Sequence, residues 1–411
     1  MLLRGTPRRE RFHRTLAGFL LARVFGFQDD MKKTLIGAAI IGSLSSIASA
    51  QSSVTLYGTL DAGVSYVNNE SGHSNWQLSD GGLDASRWGI VGSEDLGAGR
   101  KAIFQLENGF DVSNGRLAQD ARMFGRQAFV GLSDNALGSI TLGRQYDSVV
   151  DYLAPFTETG STGGLLFAHP YDNDNTRNAL RINNSIKYSS QVFAGFSFGG
   201  VYGFSNQAGG FAQNRAYSIG AKYQNGPVKI AAAYMQLSRP GSSTGAVDTT
   251  LFGPGTLEVA GAIDPAVDFR QRTYGVGASY DVGPATVRAS WTHTSLTDIA
   301  LSASGQRLFN DASAKFDNYE VNARYHVTPA LAVDAMYTYT RGKVSITGDG
   351  SSAHWHTLGL QSTYALSKRT DLYLAGVYQK ASNGVSAQLY GSAESSTDSQ
   401  VGVTAGVRHR F

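Results

Sequence analysis

Few residues of this chain have the types and spacing that covalent chemistry requires. None of its 411 residues is a cysteine, so thiol nucleophiles, disulfides and cysteine metal sites are excluded. His354-Trp355-His356 sets two imidazoles on one face of an extended segment, an arrangement a metal could use, but no carboxylate lies close by in sequence. His293, His326 and His409 are scattered over segments far apart. No local Ser/His/Asp motif and no phosphate loop between a strand and a helix is present. The sequence therefore points to no enzyme, metal site or cofactor. What it does carry is charge inside strands. Tyr319, Val321, Ala323, Tyr325 and Val327 alternate with Glu320, Asn322, Arg324 and His326. Charged side chains opposite an apolar face are costly in a dry core, but not on a face that lines water. The chemistry on offer is solvation and steering of solutes.

The same period of two recurs along the chain, the mark of strands with one apolar and one polar face. Leu331, Val333, Ala335, Tyr337 and Tyr339 alternate with Ala332, Asp334, Met336, Thr338 and Thr340. Ala285, Val287, Ala289 and Trp291 alternate with Thr286, Arg288, Ser290 and Thr292, and Ile182, Ile186 and Tyr188 oppose Arg181, Asn183, Ser185 and Lys187. At the carboxy terminus Val401, Val403, Ala405 and Val407 alternate with Gly402, Thr404, Gly406 and Arg408, and the chain stops on Phe411. Short links fall at Glu94–Gly99, Asp134–Gly138, Asn225–Gly226, Asp281–Gly283, His326–Pro329 and Ser367–Arg369. Longer polar stretches, expected as loops, fall at Asn68–Asp80, Ser148–Asn178, Arg239–Asp268, Thr297–Lys315 and Asn383–Asp398. Short turns alternating with long loops, and lipid-out, water-in strands, describe a transmembrane β-barrel of about 16 antiparallel strands. The soluble alternatives are a sandwich array or a propeller, but no blade-length repeat with a fixed signature is found. No run of about 18 apolar residues offers a membrane helix. Gly at 49, Tyr and Phe at 20 each and Pro at only 9 suit many strands joined by turns and argue against disorder.

The amino terminus reads as export information rather than fold. From Met31, Lys32 and Lys33 form a basic start, Leu35–Ile47 an apolar stretch and Ala48-Ser49-Ala50 a small-residue cleavage site, so residues 31–50 are expected to be a signal peptide. Residues 1–30 precede it and are read as a start assigned upstream of the true one; the barrel is expected over 51–411. The whole chain carries 35 Lys/Arg and 32 Asp/Glu. Residues 1–50 hold eight of the basic and three of the acidic groups, leaving 27 and 29 and a net of −2. The basic balance belongs to the leader, and nothing supports nucleic-acid binding.

Several stretches together resemble one family. Val54-Thr-Leu-Tyr-Gly58, Ser86-Arg-Trp-Gly-Ile-Val-Gly-Ser-Glu-Asp-Leu-Gly97, Ala102-Ile-Phe-Gln-Leu-Glu107, Gly125-Arg-Gln-Ala-Phe-Val-Gly-Leu132 and Gly138-Ser-Ile-Thr-Leu-Gly-Arg144 resemble the general trimeric porins of Gram-negative outer membranes, in their betaproteobacterial branch. The resemblance spans the mature chain. It implies an all-β, 16-stranded antiparallel transmembrane β-barrel, three to a trimer, whose third loop, here about Tyr146–Asn178, folds inward.

The resemblance also implies a pore constriction in which basic wall residues face carboxylates on the loop. The wall arginines fall on Arg87, Arg126 and Arg181, with Arg144 in support, and the loop carboxylates on Asp147, Asp151 and Glu158. The run Pro155-Phe-Thr-Glu-Thr-Gly160 departs from the Pro-Glu-Phe-Gly-Gly of many relatives, which makes Glu158 the candidate loop acid. Thr59 stands where some relatives place a lumen Lys, which weakens a strong anion preference. Phe411 is implied as an assembly signal read by the barrel-assembly machinery. The expected partners are a homotrimer, outer-membrane lipid and lipopolysaccharide, and small hydrophilic solutes and ions, with no nucleic acid. The implied function is passive diffusion through a water-filled pore in the cell outer membrane. A substrate-specific channel for a sugar or organic acid is the alternative, and an outer-membrane lipase a distant third.

Overall fold

The computed structural model describes residues 52–238, 245–247, 268–303, 306–346 and 349–411. The expected leader segments 1–30 and 31–50, and most of the Arg239–Asp268 loop, lie outside the described residues. The strands are β1 (Ser53–Glu70), β2 (His73–Asp80), β3 (Arg87–Gly97), β4 (Arg100–Gly109), β5 (Gln127–Asp134), β6 (Gly138–Gln145), β7 (Ile182–Ser189), β8 (Phe196–Gly203), β9 (Arg215–Asn225), β10 (Val228–Ser238), β11 (Asp268–Val282), β12 (Ala285–Ala303), β13 (Gln306–His326), β14 (Leu331–Ile346), β15 (Asp349–Ala365), β16 (Thr370–Ala381) and β17 (Ser399–Arg410).

Apart from β2 and β3, which both pair with β1, each strand pairs antiparallel with the next, and β1 pairs with β17 from Thr59↔Arg410 to Val67↔Gly402, closing the sheet on itself. The seventeen segments make sixteen staves. β2 lies along Ala62–Glu70 of β1 and β3 along Ser53–Thr59 of the same strand, so they are two halves of one stave broken at residues 81–86. Closure removes free strand edges, as a hydrocarbon environment demands. The carboxy terminus completes the seam. Gly58 N donates to Phe411 O and Phe411 N to Gly58 O, both at 3.0 Å. The aromatic ring lies directly over Gly58, where a Cβ would stand 2.4 Å from Phe411 Cζ.

Alternation sets the two surfaces. Val276, Tyr319, Val321, Tyr325, Tyr337, Leu358 and Leu360 are all exposed, while Thr292, Thr294, Asn318, Glu320, Asn322, Thr338 and Thr340 on the opposite face are buried. The apolar face looks out and the polar face in, as expected for a membrane barrel. The connections at one end of the staves, such as those between β9 and β10 and between β11 and β12, are all short, whereas the other end carries every long one, together with the two-residue links after β1, β12 and β14.

Two expected loops are instead largely strand. Asn68–Asp80 is the end of β1, a turn at Ser71 and Gly72 with positive φ, and β2. Within Thr297–Lys315, β12 runs to Ala303 and β13 starts at Gln306. In β2 the exposed apolar residues are only Trp76 and Leu78, too short an alternation to read among the surrounding Asn, Ser and Gly. Conversely, residues 110–126, between β4 and β5, form a loop that the breaker pattern did not single out.

Candidate functional site

The charged groups of the site sit where the regular alternation of the staves is interrupted. Arg87 opens β3 just after the broken stave. Asp61 Oδ2 accepts from the backbone N–H groups of Leu83 and Asp84, at 2.9 and 2.8 Å, and so fixes the path of the break. Arg87 then makes a two-pronged contact with Asp84, Nη1 to Oδ1 at 2.5 Å and Nη2 to Oδ2 at 3.1 Å, the planar fork that suits guanidinium to carboxylate. Its Nε lies 3.8 Å from Glu107 Oε2.

Arg126 precedes β5, on the same parity as the outward Val130 and Leu132, yet its guanidinium is buried inside. The ladder between β4 and β5 begins only at Gln127, so strand parity does not extend to Arg126. Its Nε donates to Glu107 Oε1 at 2.6 Å and its Nη2 to the Tyr146 hydroxyl at 3.1 Å. Glu107 is the hub of this wall. It also accepts from the hydroxyls of Tyr57 at 2.7 Å and Tyr146 at 3.0 Å. Its role was not among the expectations; a carboxylate closing Ala102–Leu106, apolar but for Gln105, was the available signal.

Arg144 shares parity with the outward Ile140 and Leu142 but is buried. The β6–β7 register shifts between Gly143 and Gln145, with Gly143 at φ +143°, and this bulge turns the following side chains inward. A Cβ at Gly143 would stand 2.0 Å from Ala128 O. Arg144 Nε donates to Gly125 O at 2.7 Å, and Nη1 to Asn183 Oδ1. The same irregularity corrects the expectation for Arg181. Ile182 was placed on the outer face with Ile186, but Ile182 is wholly buried while Ile186 is exposed. Asn184, at φ +50°, falls between them. Arg181 is nonetheless inside. Its Nη1 donates to Ala179 O at 3.0 Å and its Cζ lies 5.9 Å from the Tyr146 ring centroid. Among the described residues no carboxylate comes within ion-pair distance of it.

The loop between β6 and β7 crosses the polar face of the staves. Val149 and Leu153 pack with Ile182, Val201, Ala216 and Met235, and Leu166 and Phe167 with Met336 and Val377. Phe156 and Phe167 sit over Gly277 and Gly359, where any side chain would collide with them. A polar latch adds to this. His169 Nδ1 contacts Asp174 Oδ2 at 2.7 Å and its Nε2 contacts Glu320 Oε2 at 2.9 Å, all buried. Burial works to lower the imidazole pKa, but the two carboxylates overcome it and raise it to about 10, so His169 is a cation at neutral pH.

The three loop acids are placed differently from one another. Asp147 is buried; Oδ1 accepts from Val149 N at 2.7 Å and Oδ2 from Asn175 Nδ2 at 2.6 Å, so it shapes the loop. Asp151 forms an ion pair with Lys187 of β7. Glu158 lies against β13 and β14. Its backbone N–H donates to Glu320 Oε1 at 2.6 Å, and its Oε1 accepts from Thr162 at 3.0 Å. Burial first, then the neighbouring Asp334 and Glu320 carboxylates, push the Glu158 pKa up to about 8. The structure thus gathers Arg87, Arg126, Arg144 and Arg181 on and beside β3–β7. It sets Glu158 against β13, nine staves from β4 in a ring of sixteen and so across the barrel. No loop acid touches the arginines.

Comparison with known proteins agrees with this architecture. The model of a Gram-negative porin family matches residues 37–384. An outer membrane porin protein of Bordetella pertussis is 31% identical over 93% of this chain and all of its own length. Outer membrane porin protein 32 of Delftia acidovorans is 32% identical over the same shares. Among solved structures, the anion-selective porin from Comamonas acidovorans superposes with a TM-score of 0.67 at 28% identity, over 88% of this chain and all of that one. The trimer form of OmpT from Vibrio cholerae, 15% identical with a TM-score of 0.64 over 88% of this chain and 99% of that one, shares the fold. A closed sixteen-stave barrel, polar within and apolar without, and a family match over most of its length place this chain among the Gram-negative porins, channel proteins of the outer membrane.

Proposed function

We propose that ions and small hydrophilic solutes diffuse passively through this barrel past a constriction in which Arg87, Arg126 and Arg181, supported by Arg144, face Glu158 across the lumen. The observation that carries the proposal is the separation of charge. On one wall Arg87 and Arg126 are paired with Asp84 and Glu107, and the guanidinium of Arg181 adds a third positive charge with no carboxylate in ion-pair distance among the described residues. On the other stand Glu320, bonded to the His169 imidazolium, Asp334, paired with Arg324, and Glu158, whose raised pKa makes it the group there that gains charge as pH rises. A transverse field aligns small dipolar solutes and disfavours apolar ones, which lose water to an ordered, charged passage. The unmatched guanidinium is Arg181, so the reading includes a mild preference for anions; the relative from Comamonas acidovorans is itself anion-selective by name.

A general rather than substrate-specific channel is supported by the aromatics. A sugar channel needs a track of accessible rings. Phe156, Phe167 and Trp355, all inside, are 3%, 1% and 2% exposed and are spent on packing the loop and mouth. Trimer assembly is supported by the low wall of β5–β8. Eight residues per strand, at about 3.3 Å each and about 40° of tilt, rise about 20 Å, short of the ~25 Å apolar band. Neighbouring copies would cover that deficit. Residues 31–50 serve in this reading as the export signal and Phe411 as the end recognised by the assembly machinery.

The test is reconstitution into a planar bilayer with a salt gradient. Ohmic steps closing in thirds at high voltage, with a reversal potential on the anion side, are the expected result. Silent protein that remains a folded, heat-modifiable barrel would overturn the open-pore reading. In liposome swelling, entry rates should fall smoothly with sugar size; one sugar far above the trend would instead mark a specific channel.

A further inference from the structure

The broken stave that carries Arg87 is held from across the β1–β17 seam. Tyr373 stands on the inward parity of β16 and is buried. Its register partner on β17 is Gly406, and the partner of Gly406 on β1 is Gly63. Adjacent staves lie about 4.8 Å apart, so a phenol leaning along the wall can reach past both only where neither carries a side chain. A Cβ at Gly406 would meet the Tyr373 hydroxyl and Cζ, and one at Gly63 would stand 2.7 Å from the hydroxyl. One at Gly82, in the break itself, would have atoms of Tyr373 as its three nearest neighbours. The side chain thus crosses a glycine slot and delivers its oxygen to the break.

There the hydroxyl donates to Asp61 Oδ1 at 2.7 Å. The other oxygen of that carboxylate accepts from Leu83 N and Asp84 N, and Asp84 grips Arg87 through its two-pronged contact. Four residues from three staves and the break therefore form one chain of bonds, from Tyr373 through Asp61 and Asp84 to Arg87. Asp61 is fully buried, and a buried carboxylate oxygen stripped of its donor turns toward another donor rather than stay unpaired. Its register partner on β17 is Arg408, a cation on the side away from the break. The break also seats the constriction loop, since a Cβ at Gly164 would overlap Gly82 O.

We propose that Tyr373 is a positioning residue for the constriction: its hydroxyl, acting through Asp61, holds residues 81–86 and with them Arg87 at the lumen. The proposal rests on the reading that Arg87 belongs to the constriction, and adds the group that sets its place. Without the hydroxyl, Asp61 swings toward Arg408, the break loosens and the Arg87 guanidinium withdraws from the ion path.

The test is the reversal potential across a planar bilayer at 0.1 M salt, on mature protein purified from outer membranes. Tyr373→Phe removes the hydroxyl and leaves the ring in its slot. Withdrawal of the guanidinium from about 6 to about 8 Å from the ion path lowers the anion-to-cation permeability ratio about 1.6-fold. Two backgrounds separate positioning from a general loosening of the wall. In Arg181→Ala the same factor should appear, because Arg181 is not attached to the break; in Arg87→Ala it should vanish. An unchanged ratio for Tyr373→Phe alone, or an equal shift in both backgrounds, would overturn the proposal. If Arg87→Ala by itself leaves the reversal potential where it was, the constriction reading falls and this proposal with it. If Arg87→Ala moves it and Tyr373→Phe does not, only this proposal falls. Should Tyr373→Phe not assemble, Gly82→Ala carries the same comparison, since its methyl would drive the phenol off Asp61.

Discussion

Glu107→Gln is the most direct probe of the proposed constriction, because Glu107 supplies the counter-charge that Arg126 and Arg87 share. The amide can keep its oxygen where Oε1 accepts from Arg126 and Tyr146 and place its NH2 where Oε2 accepts from Tyr57, whose hydroxyl can turn to accept, so the change removes one negative charge at nearly constant shape. Three guanidinium groups would then face Asp84 alone. An ion passing about 6 Å from the lost charge in water feels a change of about 0.7 kcal/mol. Screening with a Debye length of about 10 Å at 0.1 M reduces that to about 0.4 kcal/mol. Anion entry rises by a factor of about 1.9 and cation entry falls by the same factor, so the anion-to-cation permeability ratio should rise about 3.6-fold. At 1 M, with a Debye length of about 3 Å, the same arithmetic leaves only about 1.4-fold. The assay is the reversal potential across a planar bilayer at both salt levels, on protein shown by heat-modifiability to be folded. An unchanged ratio at 0.1 M, or an equal shift at both salts, would refute the placement of Glu107 beside the ion path.

Arg87→Ala with Arg181→Ala should move the reversal potential toward cations, with Arg181→Ala alone giving most of the shift because Arg87 is already paired with Asp84; equal effects of the two single variants would contradict that pairing. Deleting Phe411 removes both backbone bonds to Gly58 and the ring above it, and should sharply lower the amount of folded barrel in outer-membrane fractions, whereas wild-type levels would show that closure does not need it. Raising the pH from 7 to 9 should shift preference toward cations as Glu158, with its pKa near 8, ionises, and Glu158→Gln should abolish that component. The stability sign is also determined: a carboxyl whose pKa is higher folded than unfolded favours folding while protonated and loses that contribution as pH rises from about 4.5 to about 8. The loop should therefore be cleaved more readily by protease at pH 9 than at pH 6, and less so in the Glu158→Gln variant.

Strand identity was legible wherever a stave faces hydrocarbon on one side and polar surroundings on the other, because only there must residue type alternate. Tyr319–Arg324 and Leu331–Thr340 are read correctly for that reason, down to which face each residue takes, whereas β13 ends at His326 and leaves Val327 in the turn. Asn68–Asp80 and Thr297–Lys315 were lost because their Asn, Ser, Gly and Asp residues read as loop while the alternating apolar residues among them are few. The site was only partly legible, and the failures share one cause. Arg87 follows a broken stave, Arg126 stands one residue outside a ladder, and Arg144 and Arg181 flank a register shift with Gly143 and Asn184 at positive φ. Parity counts faces faithfully only while the ladder is regular. A constriction, however, must bring charges from several staves to one level around an incoming loop, which a regular ladder does not readily do. The arginines whose parity looked wrong were therefore the informative ones. In a barrel sequence, a cation out of phase with its strand is evidence for a bulge or break before it is evidence for an outward charge, since a lipid-facing Arg near the midplane costs about 2–4 kcal/mol and a bulge turns the same side chain toward water.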